Sequence, residues 1–205
     1  MAKDRVIVIG AGIGGLSAAL LLAARGLDVT LLERAAGPGG KMRLVMDGAH
    51  AIDAGPTVFT LKRVFDEIFD AAGLEFDDHV RVTKANILAR HAWDQNTRFD
   101  LHADIDTSAE AVAQFSGARE AKGFRNFCAE AARIWRTVEG PVVRSERASL
   151  LRLILGAGLS GLPDLLATSP FESMWHALGR HFQDPRLRQL FGRYATYCGS
   201  SPFLS

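Results

Sequence analysis

Arg5-Val6-Ile7-Val8-Ile9-Gly10-Ala11-Gly12-Ile13-Gly14-Gly15, a helical pattern after it, and Asp28-Val29-Thr30-Leu31-Leu32-Glu33 together decide the fold. After Arg5 come four β-branched apolar residues, and the run reads as a buried strand. Leu16, Ala19, Leu20 and Ala23 then recur at helical spacing, with Arg25-Gly26 as the stop. The third run is a second strand, parallel to the first through a right-handed crossover, which completes a βαβ unit. Within it Gly10 permits a tight turn, Gly12 a close approach of backbone to a pyrophosphate, and Gly15 close packing of helix on sheet. Phosphate would sit at the helix N-terminus, where free N–H groups and the macrodipole favour negative charge. Glu33 lies about 20 residues beyond the turn, where a carboxylate accepts from ribose hydroxyls and repels a 2′-phosphate.

Residues 6–24 carry no charge, a run long enough to pass a membrane-span threshold of about 18 residues. The β-branched opening and the dense glycines argue instead for strand, turn and helix, and no cleavage site of a signal peptide follows. The 205 residues hold one large domain, or one domain and part of another, and 48% hydrophobic content is ample for a core. With 24 basic and 23 acidic residues there is no basic field for nucleic acid. Cys128 and Cys198 lack metal-type spacing, so neither zinc nor a disulfide scaffold is indicated, and a reducing cytoplasm is the default.

Residues 34–40 are turn chemistry, and Lys41-Met42-Arg43 follows, so a second glycine pair beside cations suggests a second phosphate contact. Residues 42–46 and 50–53 read as strands around Asp47-Gly48, leading into the tight loop Asp53-Ala54-Gly55-Pro56-Thr57. Val64, Phe65, Ile68, Phe69 and Ala72 mark an amphipathic helix closed by Gly73. The spacing predicts a dinucleotide-binding portion over residues 1–75 and a second, partial region over 76–205. In the latter, residues 80–83, 86–91 and 97–101 read as strands, and residues 107–115, 124–138 and 171–182 as helices, with Gly140-Pro141 a breaker. The apolar but broken stretch 150–166 could line an apolar tunnel, dip into one leaflet, or be ordinary core. The tail, residues 197–205, offers no helix stop, as in a chain cut mid-domain.

The fingerprint alone does not separate nicotinamide from flavin. In order, however, the chain carries Gly10-x-Gly12-x-x-Gly15, Ala19, Glu33-Arg34, Gly39-Gly40-Lys41-Met42-Arg43 and Asp53-Ala54-Gly55-Pro56-Thr57. This ordered set resembles the phytoene-desaturase family of carotenoid desaturases, flavoproteins with a Rossmann-type FAD domain related to amine oxidases. Asp184-Pro185-Arg186-Leu187-Arg188 and Gly199-x-x-Pro202 also look like the family's pattern. Within the family the chain looks most like the hydroxyneurosporene and methoxyneurosporene desaturases of purple bacteria. Lys41 stands where most relatives carry arginine, and serves as a point charge rather than a fork.

The resemblance implies an α/β fold: a Rossmann-type FAD-binding domain plus, over residues 76–205, part of an α+β substrate-binding domain with a helical, membrane-proximal segment. It implies that Gly10, Gly12 and Gly15 hold the FAD pyrophosphate, Glu33 the adenosine ribose, and Arg34, Gly40 and Lys41 the adenine and phosphate side. Gly55, Pro56 and Thr57 would approach the isoalloxazine ring. The implied activity is FAD-dependent desaturation of an acyclic carotene or hydroxycarotenoid, extending the polyene, at the cytoplasmic face of the inner membrane through a peripheral contact. Family members are much longer, so the chain reads as an N-terminal fragment inactive alone. The alternatives are another FAD amine-oxidase-like oxidoreductase, an NAD-dependent dehydrogenase, or a non-catalytic nucleotide-binding module. No side chain is marked as catalytic: His50, His79, His91, His102, His176 and His181 are scattered, and there is no metal box or nucleophile elbow.

Overall fold

The structure, a computed structural model, describes residues 3–56, 58–144 and 172–204. It divides into two compact units, Met1–Thr83 and Lys84–Ser205. In the first, β1 (Arg5–Ile9) and β2 (Asp28–Leu32) pair in parallel, with Val8 opposite Leu31, joined by α1 (Ile13–Ala24). The apolar run at residues 6–24 is therefore strand, turn and helix. Gly26, at φ 86°, ends α1 as its position predicts. Val6, Val8, Val29 and Leu31 form the half-buried face of the pair. Ile7 and Ile9 on the other face are 64% and 85% exposed. Parallel strands normally bury both faces, and among the described residues only one is covered.

The hairpin of β3 (Leu44–Asp47) and β4 (His50–Asp53) turns at Gly48, whose φ of 58° few other residues adopt cheaply. Helix α2 (Lys62–Asp70) and the short α3 (Phe76–His79) complete the unit. Phe76 packs against Phe59, Phe65 and Phe69 at 5.2–6.1 Å between ring centroids, which keeps α3 with α2. The strand anticipated at residues 80–83 is absent: these residues are exposed and pair with nothing in a sheet, so alternation without a neighbouring strand was not enough.

In the second unit β5 (Ile87–Ala92) and β6 (Arg98–His102) form an antiparallel hairpin with a register shift between Ile87 and Ala89. Asp94 closes its turn by accepting from the N–H groups of Asn96 and Thr97 at 2.7 and 2.6 Å. Helices α4 (Ile105–Ser116), α5 (Ala118–Val138), α6 (Met174–His181) and α7 (Pro185–Gly192) pack beside it. Helix α5 starts six residues before the expected Phe124, directly after Gly117 at φ 94°, and passes into a π turn at Glu139–Val143, where Gly140-Pro141 was expected to break it. The core joins Phe99, Leu101, Val112, Phe124, Leu178, Phe182, Leu187 and Phe191, with Phe182 and Phe191 stacked at 5.0 Å. A 3-10 turn, Arg193–Cys198, follows α7 and does have a stop, Gly199 at φ 69°. That corrects one point only, the expectation that residues 197–205 offer no helix stop. Residues 145–171, including the stretch 150–166, lie outside the described residues.

Two carboxylates tie the start of α7 to its neighbours, Glu120 from α5 and Asp184 to Ser116 at the end of α4. Glu120, buried, accepts from the N–H groups of Gln183 and Asp184 at 3.0 and 3.3 Å. Asp184 caps α7, accepts from the Ser116 hydroxyl, and pairs with Arg186 at 2.6 Å. The Arg186 bonds lower its carboxyl from an ordinary 3.8 to about 2. A depressed carboxyl stabilises the fold above its unfolded value and ceases to do so as pH falls through the folded one. Asp184→Asn should therefore cost about 2 kcal/mol at neutral pH, a difference that vanishes between about pH 4 and 2, as read by urea unfolding across that range.

Candidate functional site

The first unit gathers three loops in one place. Gly10, at φ 96°, turns the chain out of β1, while its N–H continues the parallel ladder to the Leu32 carbonyl at 2.7 Å. Gly12 is the N-cap of α1, and no side chain caps that helix or places an acid in its first turn. The first-turn N–H groups are therefore left for an anion. A Cβ on Gly15 would lie 1.8 Å from the Gly10 carbonyl oxygen, so the close approach that the spacing predicts is real and admits only glycine.

The second loop locks against the first. Gly39 and Gly40 sit at φ 130° and 61°, and a Cβ on Gly40 would come within 3.0 Å of the Gly12 Cα. The Gly39 N–H donates to the Ala11 carbonyl at 2.8 Å. The third loop leans on the second: a Cβ on Gly55 would meet the Lys41 carbonyl oxygen at 2.1 Å, and the Ala54 N–H donates to the Arg43 carbonyl at 2.9 Å. Gly10, Gly12, Gly15, Gly40, Lys41 and Gly55 are thus brought together by backbone contact, and Glu33 joins them through its carboxylate. The side chains of Arg34 and Lys41, and Pro56, are exposed, and Thr57 lies outside the described residues. Gly55 is required by the Lys41 carbonyl whether or not a ring approaches it.

Glu33 is engaged within the protein. One carboxylate oxygen accepts from the Ala11 N–H and the other from the Ala35 N–H, both at 2.7 Å. The Ala35 and then the Ala11 bonds hold its carboxyl below the usual range, so it is ionised at neutral pH. Each oxygen has a second lone pair, which leaves capacity for a ribose hydroxyl. Ala11 is 2% exposed in a unit where little else is buried. Sequence reasoning passed over Ala11, and took Gly39 only as half of the doublet suggested as a second phosphate contact. The signals were present, a small residue between two fingerprint glycines and the first member of the glycine doublet.

The histidines remain apart. His181 bonds Glu130 at 2.7 Å, and burial followed by Arg193 lowers the pKa of His91, whose Nε2 is buried without a partner. Among the described residues no group of His, Cys, Asp or Glu could hold a metal, and no helix is long and apolar enough to cross a membrane. In the second unit a cavity of about 650 Å³ is walled by Trp175, Pro185, Arg186, Pro202 and Phe203, so the two motifs at residues 184–188 and 199–202 share one lining.

Gly14 and Gly15 make a controlled pair, because nothing lies within 4 Å of a Cβ on Gly14. Gly14→Ala should be tolerated or raise stability by roughly 0.5–1 kcal/mol, whereas Gly15→Ala should abolish ADP binding and lower the melting temperature; calorimetric titration and thermal melts of both variants check this.

Comparison with known proteins agrees with this geometry. Residues 8–72 match the model of the NAD(P)-binding Rossmann-like domain, which points to a dinucleotide cofactor. Hydroxyneurosporene desaturase of Rubrivivax gelatinosus is 54% identical over 98% of this chain and 38% of its own length. That of Rhodobacter capsulatus is 41% identical over 96% of this chain and 40% of its own length. Phytoene dehydrogenase of Streptomyces griseus is 33% identical over 97% and 38%. The chain spans about two-fifths of the length of these curated relatives. Over its own length, the chain is a homologue of carotenoid desaturases of the hydroxyneurosporene and phytoene type.

Proposed function

We propose that this chain supplies the adenosine-binding part of an FAD-dependent carotenoid desaturase acting on an acyclic carotene or hydroxycarotenoid. The 54% identity to a hydroxyneurosporene desaturase carries the reaction class. The interlocked glycine turns support a dinucleotide, since they bring main-chain groups together at the start of a helix that no side chain caps. FAD, when bound, supplies the acceptor for the two hydrogens that leave the saturated carbon pair, a task no amino-acid side chain performs alone.

The chain's own part is binding and orientation. The N–H groups opening α1 hold the pyrophosphate, with Lys41 as a point charge beside it and Gly10, Gly12, Gly15 and Gly40 giving backbone access. Glu33 receives ribose hydroxyls on its spare lone pairs and repels a 2′-phosphate. Arg34 is proposed to serve the adenine side, and Gly55 and Pro56 the ring side. The cavity at Trp175 and Phe203 suits a hydrocarbon segment. A polyene partitions into membrane, so the protein is proposed to sit peripherally on the cytoplasmic face of the inner membrane, with residues 150–166 as the contact.

A second reading has support in the matched domain's own description: the same clamp would take NAD. Titration of the purified protein with FAD and with NAD, followed by flavin fluorescence and calorimetry, separates them. Saturable FAD binding is expected; binding of NAD with refusal of FAD would sink the flavin reading. In the same preparation, failure to float with lipid vesicles would remove the membrane contact.

A further inference from the structure

Ala11 is held from both sides. Its N–H is bound by Glu33, its carbonyl by the Gly39 N–H, and the residue is buried. The two glycine turns are thereby joined through a single peptide-long bridge, at the height where Gly12 and Gly40 touch. All of these contacts are made between the chain's own atoms.

We infer that Glu33 is a positioning residue for the phosphate half of the site, fixing the first glycine turn through the Ala11 N–H, besides any contact it makes with ribose. This rests on the dinucleotide reading of the clamp. Two opposing effects make it testable. A carboxylate near a bound anion repels it, so removing the charge should by Coulomb's law strengthen binding of pyrophosphate. If Glu33 also shapes the turn, its removal orphans the buried Ala11 N–H, the turn relaxes, and the N–H groups opening α1 lose their common aim. The sign of the change therefore reports which role dominates.

The probe is inorganic pyrophosphate, which has no ribose, titrated calorimetrically into the full chain and into Glu33→Ala at fixed ionic strength. The variant is expected to bind it severalfold more weakly, and amide exchange at Ala11 is expected to quicken by about tenfold while Val6 and Val8 in β1 stay protected. Unchanged or tighter pyrophosphate binding by a variant with intact β1 protection would overturn the inference, as would unaltered exchange at Ala11. A wild-type chain that binds neither pyrophosphate nor ADP would instead overturn the dinucleotide reading, and Ala11 exchange would still decide whether Glu33 braces the turn.

Discussion

Close approach of backbone to backbone is the constraint on which the first unit depends. At Gly15, Gly39, Gly40 and Gly55 an added Cβ would fall 1.8–3.0 Å from another residue's main-chain atom. At Gly15, Gly39 and Gly55 no real Cβ would fit, and at Gly40 it would be tight on a left-handed backbone; the Gly40 and Gly55 contacts join one loop to the next, and the other two shape single loops. The result is a surface of peptide groups with hardly any side chains over it. Such a surface suits a ligand recognised by its phosphates, because N–H donors reach the anion without a barrier of bulk.

The two units differ in how they are held together. The second has a conventional core of Phe, Leu and Val from β6 and four helices, with Glu120 and Asp184 satisfying backbone donors where α5 meets the start of α7. The first buries almost nothing fully except Ala11 and Phe76. It relies on ladder hydrogen bonds, the phenylalanine cluster on α2, and glycine contacts. Its bare parallel face, with Ile7, Ile9 and Leu32, is of a kind that parallel sheets elsewhere cover.

Much of this was legible in the residues. Strand, turn and helix at residues 5–33 follow from β-branched runs, glycine spacing and a helical period, all local signals. Gly26, Gly48 and Gly73 acted as stops and turns where they stood. What was not legible is tertiary. The strand at residues 80–83 needed a partner that the fold does not bring. The start of α5 moved to Gly117 because residues 118–123 are mostly polar or small and offer little periodicity. The first-turn role of Asp184-Pro185 as a helix start, and Gly199 as a stop, were read only as parts of a family pattern. For Ala11 the sequence marks the position, a small residue between two glycines, but not its partners, since Glu33 and Gly39 reach it from 22 and 28 residues away.

The desaturase reading and the structural account meet at one claim, that the turns at residues 10–15 and 39–41 work as a single phosphate-facing clamp. An amide-resolved NMR titration with ADP tests it most directly. The account predicts that resonances of Ala11, Ile13, Gly14 and Gly15 shift together with those of Gly39, Gly40 and Lys41, on one saturation curve. Shifts confined to one of the two turns, or to the second unit, would contradict it.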